Sequence, residues 1–552
     1  MKNLKLKKGL TALISAALVA TFAVAVPSAA RAAEPTCDYS YSGTIATGVS
    51  YEKCTGTDGN GAKYEIRMPA KFNGMMFLYS HGIRNQVLLP KIPVINPDGA
   101  YSVPRSAPEV APGRTAADQE IIAQTLLKQG YALAGAGVQV NGWSVPEAIE
   151  ANVNLIVYAK DIFPKISKVV SWGDSLGGHI SQSLSEQYGI IDAAANLHMA
   201  GTAASQYSYA NDVLWMYKTL FDPTIKGNGY TQPEYAGDTR GYMELIGDIG
   251  KLLTVLGALK AAIAANPLAP AWPASATNAP ATLKGIPVRS AILLIGLLAG
   301  MPTQSNTYDA SSGPKGALET SFGLAISPAL AVLENTSTAL ALGVIGNYDA
   351  EMRCGGSIFD NSATDYAARL GDNGDIYAAG LSGKTATAGM LAFLSKYNPV
   401  APRVTASASA IACINNQAAY NGKITVPTIT VSQTADQITP AGYIQKMKDL
   451  YSASVSNGDA KPGLLLNIWN KPPDEYTEFD SAGSPKAPTG VTTGTSHAMY
   501  TNDQIMVIAK LLANAGKSGK LPSIAAAKSA LKKDPSMFID PNFKPALMFQ
   551  DR

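Results

Sequence analysis

Four histidines, His81, His179, His198 and His497, are the whole supply of imidazole in this chain. A serine hydroxyl at neutral pH needs such a base to become a nucleophile, and one serine stands where that chemistry is expected. The β-branched run Val169-Val170-Ser171-Trp172 enters the pentapeptide Gly173-Asp174-Ser175-Leu176-Gly177, and a helical pattern leaves it. In a GxSxG segment between strand and helix the sharp turn lifts the hydroxyl above the sheet. The glycines tolerate the tight backbone, and the helix N-terminus offers N–H groups to a developing anion. With 50 glycines among 552 residues the bare pentapeptide carries little weight, so the flanking strand and helix carry the reading. Ser175 is the expected nucleophile.

The base follows by placement. His179 lies four residues after Ser175 on the same helix and is expected to point away from the elbow and pack. His198 falls inside an apolar run read as a central strand, which makes it a core residue, and His81 holds a loop in shape after an early strand. His497 alone stands in a loop between a late strand and a final helix, and is the expected base. For the carboxylate that orients it, Asp436 comes just after the strand read at Thr425 to Ser432. Its competing role is a turn or N-cap before Pro440 and the next helix. Asp474, Glu475 and Asp480 sit less well, in a proline-rich loop.

The elements that must position these groups alternate. Strand patterns at Tyr64 to Met68, Met75 to Ser80, Tyr131 to Val138, Val169 to Trp172 and Ala193 to Met199 are separated by helical patterns at Ala116 to Gln129 and Val145 to Ile162. That rhythm predicts an α/β fold, a mostly parallel sheet with helices on both faces. It stops between about Ser205 and Ile424, where apolar helical patterns at Met243 to Ala265, Val288 to Ala299 and Pro328 to Val344 predict a large, mainly helical insert. It resumes with the Thr425 to Ser432 strand, a helix at Ala441 to Ser454, a strand at Leu464 to Trp469 and a last helix at Thr501 to Ala515. The expected division is a leader at 1–32, a first part of the α/β core at 33–204, the insert at 205–424 and the second part of the core at 425–552. Apolar helical stripes usually bury their own core; the functional reading makes part of the insert a lid.

Lysines precede an apolar run from Gly9 to Val26, and Ala30-Arg31-Ala32 follows. This is the pattern of a secretory signal peptide cleaved near Ala32, so the expected location is extracellular or periplasmic. Removing a leader with five basic residues and no acid takes the formal charge from +3 to −2, which gives no reason to expect nucleic acid. In an exported protein the four cysteines are expected to oxidise. Loop closure favours Cys37 with Cys54 and Cys354 with Cys413. They contain no CxxC pair and no nearby histidine, so no metal site is expected, and no cofactor signature is present. Asp372-Asn373-Gly374-Asp375 and Asp58-Gly59-Asn60-Gly61 read as turns. Lys251, Lys260 and Arg289 interrupt the insert's apolar runs, so no stable membrane span is expected.

The chain order Ser175, Asp436, His497 is that of an α/β-hydrolase. Together with Tyr79-Ser80-His81-Gly82-Ile83, Trp172 to Gly178, Thr434-Ala435-Asp436 and Ser496-His497, it makes the chain resemble the secreted serine hydrolases of that superfamily. The insert lies outside the resemblance. The resemblance implies an α/β-hydrolase fold in which the backbone N–H groups of Ile83 and Leu176 form the oxyanion hole. Arg84 and Trp143 are placed near the rim, where a structural role and substrate contact are both open. The implied activity is cleavage of a small-molecule or polymeric carboxylic ester through an acyl-enzyme, with an apolar or polymer-derived acyl group suggested by the Ala- and Leu-rich insert. A peptidase, amidase or acyltransferase on the same scaffold is the alternative, and so is a protein that only binds an apolar ligand or a cell surface.

Overall fold

Residues 36–38, 49–84, 107–138, 141–235, 238–267, 269–311, 326–371, 383–417, 419–480, 485–486 and 492–552 are described by a computed structural model. The expected leader and the Asp372-Asn373-Gly374-Asp375 turn lie outside them. In chain order the strands are β1 (Thr36–Asp38), β2 (Tyr51–Thr57), β3 (Lys63–Pro69), β4 (Met75–Ser80), β5 (Ala132–Ala136), β6 (Lys168–Asp174), β7 (Ala193–Leu197), β8 (Thr428–Gln433), β9 (Leu465–Asn470), the small hairpin β10 (Glu478–Phe479) and β11 (Pro485–Lys486), and β12 (Met537–Phe538). All but the hairpin join one sheet in the order β1-β2-β3-β5-β4-β6-β7-β8-β9-β12. The pairs from β5 to β9 are parallel, and the strands at both margins pair antiparallel.

The helices are α1 (Ala116–Lys128), α2 (Val145–Ile162), α3 (Leu176–Gln187), α4 (Ala203–Phe221), α5 (Arg240–Ala265), α6 (Ala281–Lys284), α7 (Val288–Ala299), α8 (Ile326–Cys354), α9 (Tyr366–Leu370), α10 (Lys384–Phe393), α11 (Ala408–Asn415), α12 (Gly442–Ser456), α13 (Asn502–Ser518) and α14 (Ile524–Leu531). Strand β4 is apolar on both faces because both faces are covered. Alternate residues point opposite ways, so Phe77 and Tyr79 join Ile122 and Leu126 of α1 and Ile508 and Leu512 of α13 in one core. Met76 and Leu78 join Ile149 and Ile156 of α2 and Ile180 and Leu184 of α3 in the other. The chain passes from β4 through α1 to β5 on one side, then through α2 to β6 on the other. That reversal opens a crevice at the carboxyl ends of β4 and β6, where open α/β sheets bind their ligands.

The α/β rhythm holds, with differences that have local causes. Strand β2 was not expected, because Glu52, Lys53 and Thr55 mask its alternation; its partner β3 supplies seven paired residues. The pattern read from Pro328 to Val344 belongs to the longer α8, whose later turns carry Asp349 and Glu351 into buried positions. The helix expected to be last is followed by α14 and by β12, which pairs with β9 through only two residues. Helices α4, α5, α7 and α8 share a core of their own, built from Leu214, Leu252, Leu256, Ile292, Val332 and Leu340. Among the described residues α8 alone is long and apolar enough to cross a membrane, with mean hydropathy 1.4, and 83% of that stretch is buried inside the protein. Both expected disulfides are present, Cys37–Cys54 joining β1 to β2 and Cys354–Cys413 joining α8 to α11.

Candidate active site

Ser175 occupies the single residue between β6 and α3, with φ 55° and ψ −122°. A positive φ is uncommon outside glycine and costs about 1–3 kcal/mol. The surroundings hold it: Ser175 N–H donates to Leu197 O at 3.0 Å, and its carbonyl accepts from Gly178 and Ala200, each at 3.0 Å. The two motif glycines are required by crowding. A Cβ on Gly173 would overlap the Gly177 carbonyl, and one on Gly177 would overlap the Ser80 carbonyl at the end of β4. The elbow is therefore wedged against the very strand whose loop carries Ile83.

Asp436 and His497 are brought together from separate loops. After β8, Ala435 forms a parallel bridge to Thr495, and its carbonyl accepts from Ser496 N–H at 3.1 Å. His497 stands between Ser496 and Ala498, both at positive φ (58° and 60°). Thr501 then starts α13 through a reciprocal cap with Gln504. Asp436 is fully buried. Its Oδ1 accepts from the N–H groups of Ile438 (2.8 Å) and Thr439 (2.9 Å), and its Oδ2 accepts from Thr439 Oγ1 at 3.0 Å. His497 Nδ1 lies 2.9 Å from Oδ2 and 3.1 Å from Oδ1. With the proton on Nδ1 donated to this carboxylate, the Nε2 lone pair is the free base. Asp474, a rival acid, instead accepts from Lys471 and is exposed.

Ser175, Ile83 and Leu176 line one cavity of about 40 Å³ together with Thr439, the threonine bound to Asp436. Leu176 is the first residue of α3, where an N–H has no partner within its own helix. Ser175 and His497 make no direct hydrogen bond among the described residues. They are linked through the end of β7: Ser175 bonds to Leu197, and the adjacent His198 ring lies edge-on to the His497 ring, with centroids 4.6 Å apart.

His198 is where the expectation needs correction. It is buried, as expected, but stands one residue beyond β7, at φ 34°, stacked on Tyr500 and touching His497. Burial, and then the neighbouring His497, hold its imidazole well below the usual histidine range, so it is neutral. His179 packs as expected, with Nδ1 2.8 Å from the Gly201 carbonyl and its ring against Trp143 and Tyr420. His81 holds its own loop through Nδ1 and the Gly82 carbonyl at 2.6 Å, and burial, reinforced by Arg84, pushes it down to about 4. Arg84 turns away from the cavity: its guanidinium pairs with Glu109 and donates to the Gly82 and Ile83 carbonyls, bracing the loop. Trp143 does line the cavity, and its backbone N–H donates to Asp349 Oδ2 at 3.1 Å. Asp58 accepts from the N–H groups of Asn60 and Ala62, which makes the Asp58-Gly59-Asn60-Gly61 segment the expected turn.

Several contributors carried no sequence signal. Thr439 had only its position three residues after Asp436. Tyr207 and Ala210 from α4 and Leu342 and Gly346 from α8 reach the cavity from helices whose patterns are those of ordinary core. Beside Ser175, burial raises the Asp174 carboxyl while the Tyr79 hydroxyl, donating at 2.6 Å, opposes the shift.

No family model and no curated protein matches the chain. Solved structures do. Feruloyl esterase B from Aspergillus oryzae aligns at 11% identity and TM-score 0.38, covering 89% of this chain and 88% of that one. Another esterase from Aspergillus oryzae aligns at 12% identity and TM-score 0.32, covering 76% and 72%. An esterase from Pyrococcus furiosus aligns at 14% identity and TM-score 0.21, covering 29% and 53%. At these scores the likenesses carry no functional argument, and the chemistry rests on the site.

Proposed function

We propose that the protein is a serine hydrolase of the α/β-hydrolase type that cleaves carboxylic esters through an acyl-enzyme. What supports this reading is a strained Ser175 that lines one cavity with Ile83, Leu176 and Thr439, and a buried Asp436 that accepts from Thr439 and is bonded to His497 Nδ1. Ser175 Oγ attacks the ester carbonyl while His497 Nε2 takes its proton, and the carbonyl electron pair moves onto an oxygen held by the two N–H groups. Collapse breaks the bond to the alcohol oxygen, which leaves with the proton from His497. Water then repeats the sequence on the acyl-enzyme and frees Ser175. Asp436 keeps the imidazole in the useful tautomer and balances its charge.

The 205–424 segment acts in this reading as a cap subdomain, since α4 and α8 supply one wall of the cavity. Export after leader removal fits the two disulfides. The test is a fluorophosphonate probe with the modified peptide mapped by mass, beside hydrolysis of p-nitrophenyl acetate, butyrate and octanoate. The expected result is an adduct on Ser175, ester turnover, and loss of about 10³-fold or more in Ser175→Ala. An adduct elsewhere, or full turnover by Ser175→Ala, overturns the assignment.

A further inference from the structure

One stripe of α8 serves two neighbours. Leu342, Gly346, Asp349 and Arg353 recur every three to four residues, the spacing of a single helical face. The first two line the cavity with Ser175. The other two hold the segment Asn141-Gly142-Trp143: Asp349 Oδ2 accepts from the Trp143 backbone N–H at 3.1 Å, and Arg353 Nη2 donates to the Asn141 carbonyl at 3.3 Å while its Nη1 pairs with Glu147 at 2.7 Å. Gly142 stands in that segment at φ 84°, and a Cβ there would overlap the Asp349 carboxylate, so the helix comes as close as only a glycine allows. Gly142 in turn donates its N–H to the Arg84 carbonyl at 2.6 Å. Three consecutive carbonyls of the 82–84 loop are thereby engaged. Gly82 accepts from His81 Nδ1 and Arg84 Nη1, Ile83 accepts from Arg84 Nη1, and Arg84 accepts from Gly142. The first two are held by side chains of the loop itself, and the third by the segment that α8 holds. In a planar trans peptide the N–H points opposite to the carbonyl, so fixing the Gly82 carbonyl also fixes the Ile83 N–H. The loop lies directly on the elbow: a Cβ on Gly82 would come within 3.3 Å of Ser175 Cβ.

We infer that Asp349, with Arg353, is a positioning residue for the oxyanion loop: by fixing the 141–143 segment it holds, through Gly142, the loop that carries the Ile83 N–H. The inference rests on the ester-hydrolase reading above, which assigns that N–H to the developing oxyanion. Such a donor works only within a narrow range of distance, and a misplacement of about 1 Å set by a remote group costs about 10²-fold. Arg84 and its partner Glu109 secure the loop from its own side, so the loss of Asp349 displaces the loop rather than releasing it. Because Asp349 and Arg353 share a helical face with Leu342 and Gly346, a shift of α8 moves the cavity wall and the oxyanion loop together.

The test measures hydrolysis of p-nitrophenyl acetate and inhibition by a trifluoromethyl ketone, whose adduct with a serine carries an oxyanion, with rates referred to the sites that a fluorophosphonate titrates. Asp349→Ala should lower kcat by about 10- to 100-fold with KM changed by less than about threefold, and should weaken the ketone by the same factor as kcat. Asp349→Asn, which keeps an oxygen for the Trp143 N–H, should recover both to within about threefold. Arg353→Met, which removes the donor to the Asn141 carbonyl and the pair with Glu147, should show the same pattern at about 3- to 10-fold, and it carries the test if Asp349→Ala does not fold. A purely structural Asp349 would lower the titrated fraction and the melting temperature but leave kcat per site and the ketone unchanged. That outcome, a loss confined to KM, or an Asp349→Asn as slow as Asp349→Ala overturns the inference, and leaves the hydrolase reading standing if Ser175 still takes the fluorophosphonate. No turnover of any ester together with no adduct overturns both.

Discussion

At the scale of residues, the separation between the carboxylate and the imidazole it serves is managed by Thr439. Its N–H and hydroxyl both donate to Asp436, and the hydroxyl lies 3.4 Å from His497 Nδ1. The carboxylate is thereby held by partners other than the histidine. Asp436→Asn should lower kcat by about 10⁴ while leaving the fold intact, because an amide presents a donor where Nδ1–H needs an acceptor. Thr439→Val should cost less, about 10- to 100-fold, since one hydrogen bond to a carboxylate contributes roughly 1.5–3 kcal/mol. Ester kinetics beside melting curves separate the two, and equal losses in both variants would mean that Thr439 does more than position. Sequence pointed to the Asp436–His497 pair that the structure brings into hydrogen bond because the chain has so few histidines. It misplaced His198 because Ala193-Ala194-Ala195-Asn196-Leu197-His198-Met199 is uniformly small or apolar and nothing in it marks where the strand ends. The end is set by the turn that brings Ala200 N–H back to Ser175 O.

At the scale of elements, the elbow is a strand, one strained residue and a helix, and the strain belongs to the junction rather than to the reaction. Ser175→Gly and Ser175→Ala both remove the hydroxyl, yet only glycine adopts φ 55°, ψ −122° at little cost. Chemical denaturation should find Ser175→Gly more stable than Ser175→Ala by about 1 kcal/mol, the lower end of the strain attached to such a conformation. Equal stabilities would show that the backbone relaxes when the hydroxyl goes. The strands around the elbow were readable because both sheet faces are covered and their sequences are continuous apolar runs. Strands β2 and β12 were not, the first being half polar and the second only two residues long. For the helices of the insert, periodicity located α5, α7 and part of α8 but said nothing of which would meet Ser175. That depends on how α4 and α8 pack, which is tertiary information.

At the scale of the whole molecule, the same burial that shapes the site sets a response to acid, and groups of opposite sign contribute to it. His81 is held neutral down to about 4, against about 6.5 in an unfolded chain. Between those values the unfolded state binds a proton that the folded state refuses, so stability from His81 is complete above 6.5 and is lost as pH falls toward 4. Asp349, behind Trp143, has the opposite sign: burial raises its carboxyl to about 6 although Arg353 opposes the shift. Here the folded state holds the proton more tightly below 6, so Asp349 makes acidification less damaging. From pH 7 to 5 the His81 contribution falls by about 2 kcal/mol and that of Asp349 grows by about 1 kcal/mol. Urea midpoints measured at both pH values should therefore show a smaller acid loss in His81→Asn than in the unsubstituted protein, and a larger one in Asp349→Asn. If the two variants shift the pH dependence in the same direction, at least one of these groups is not buried in the state that unfolds.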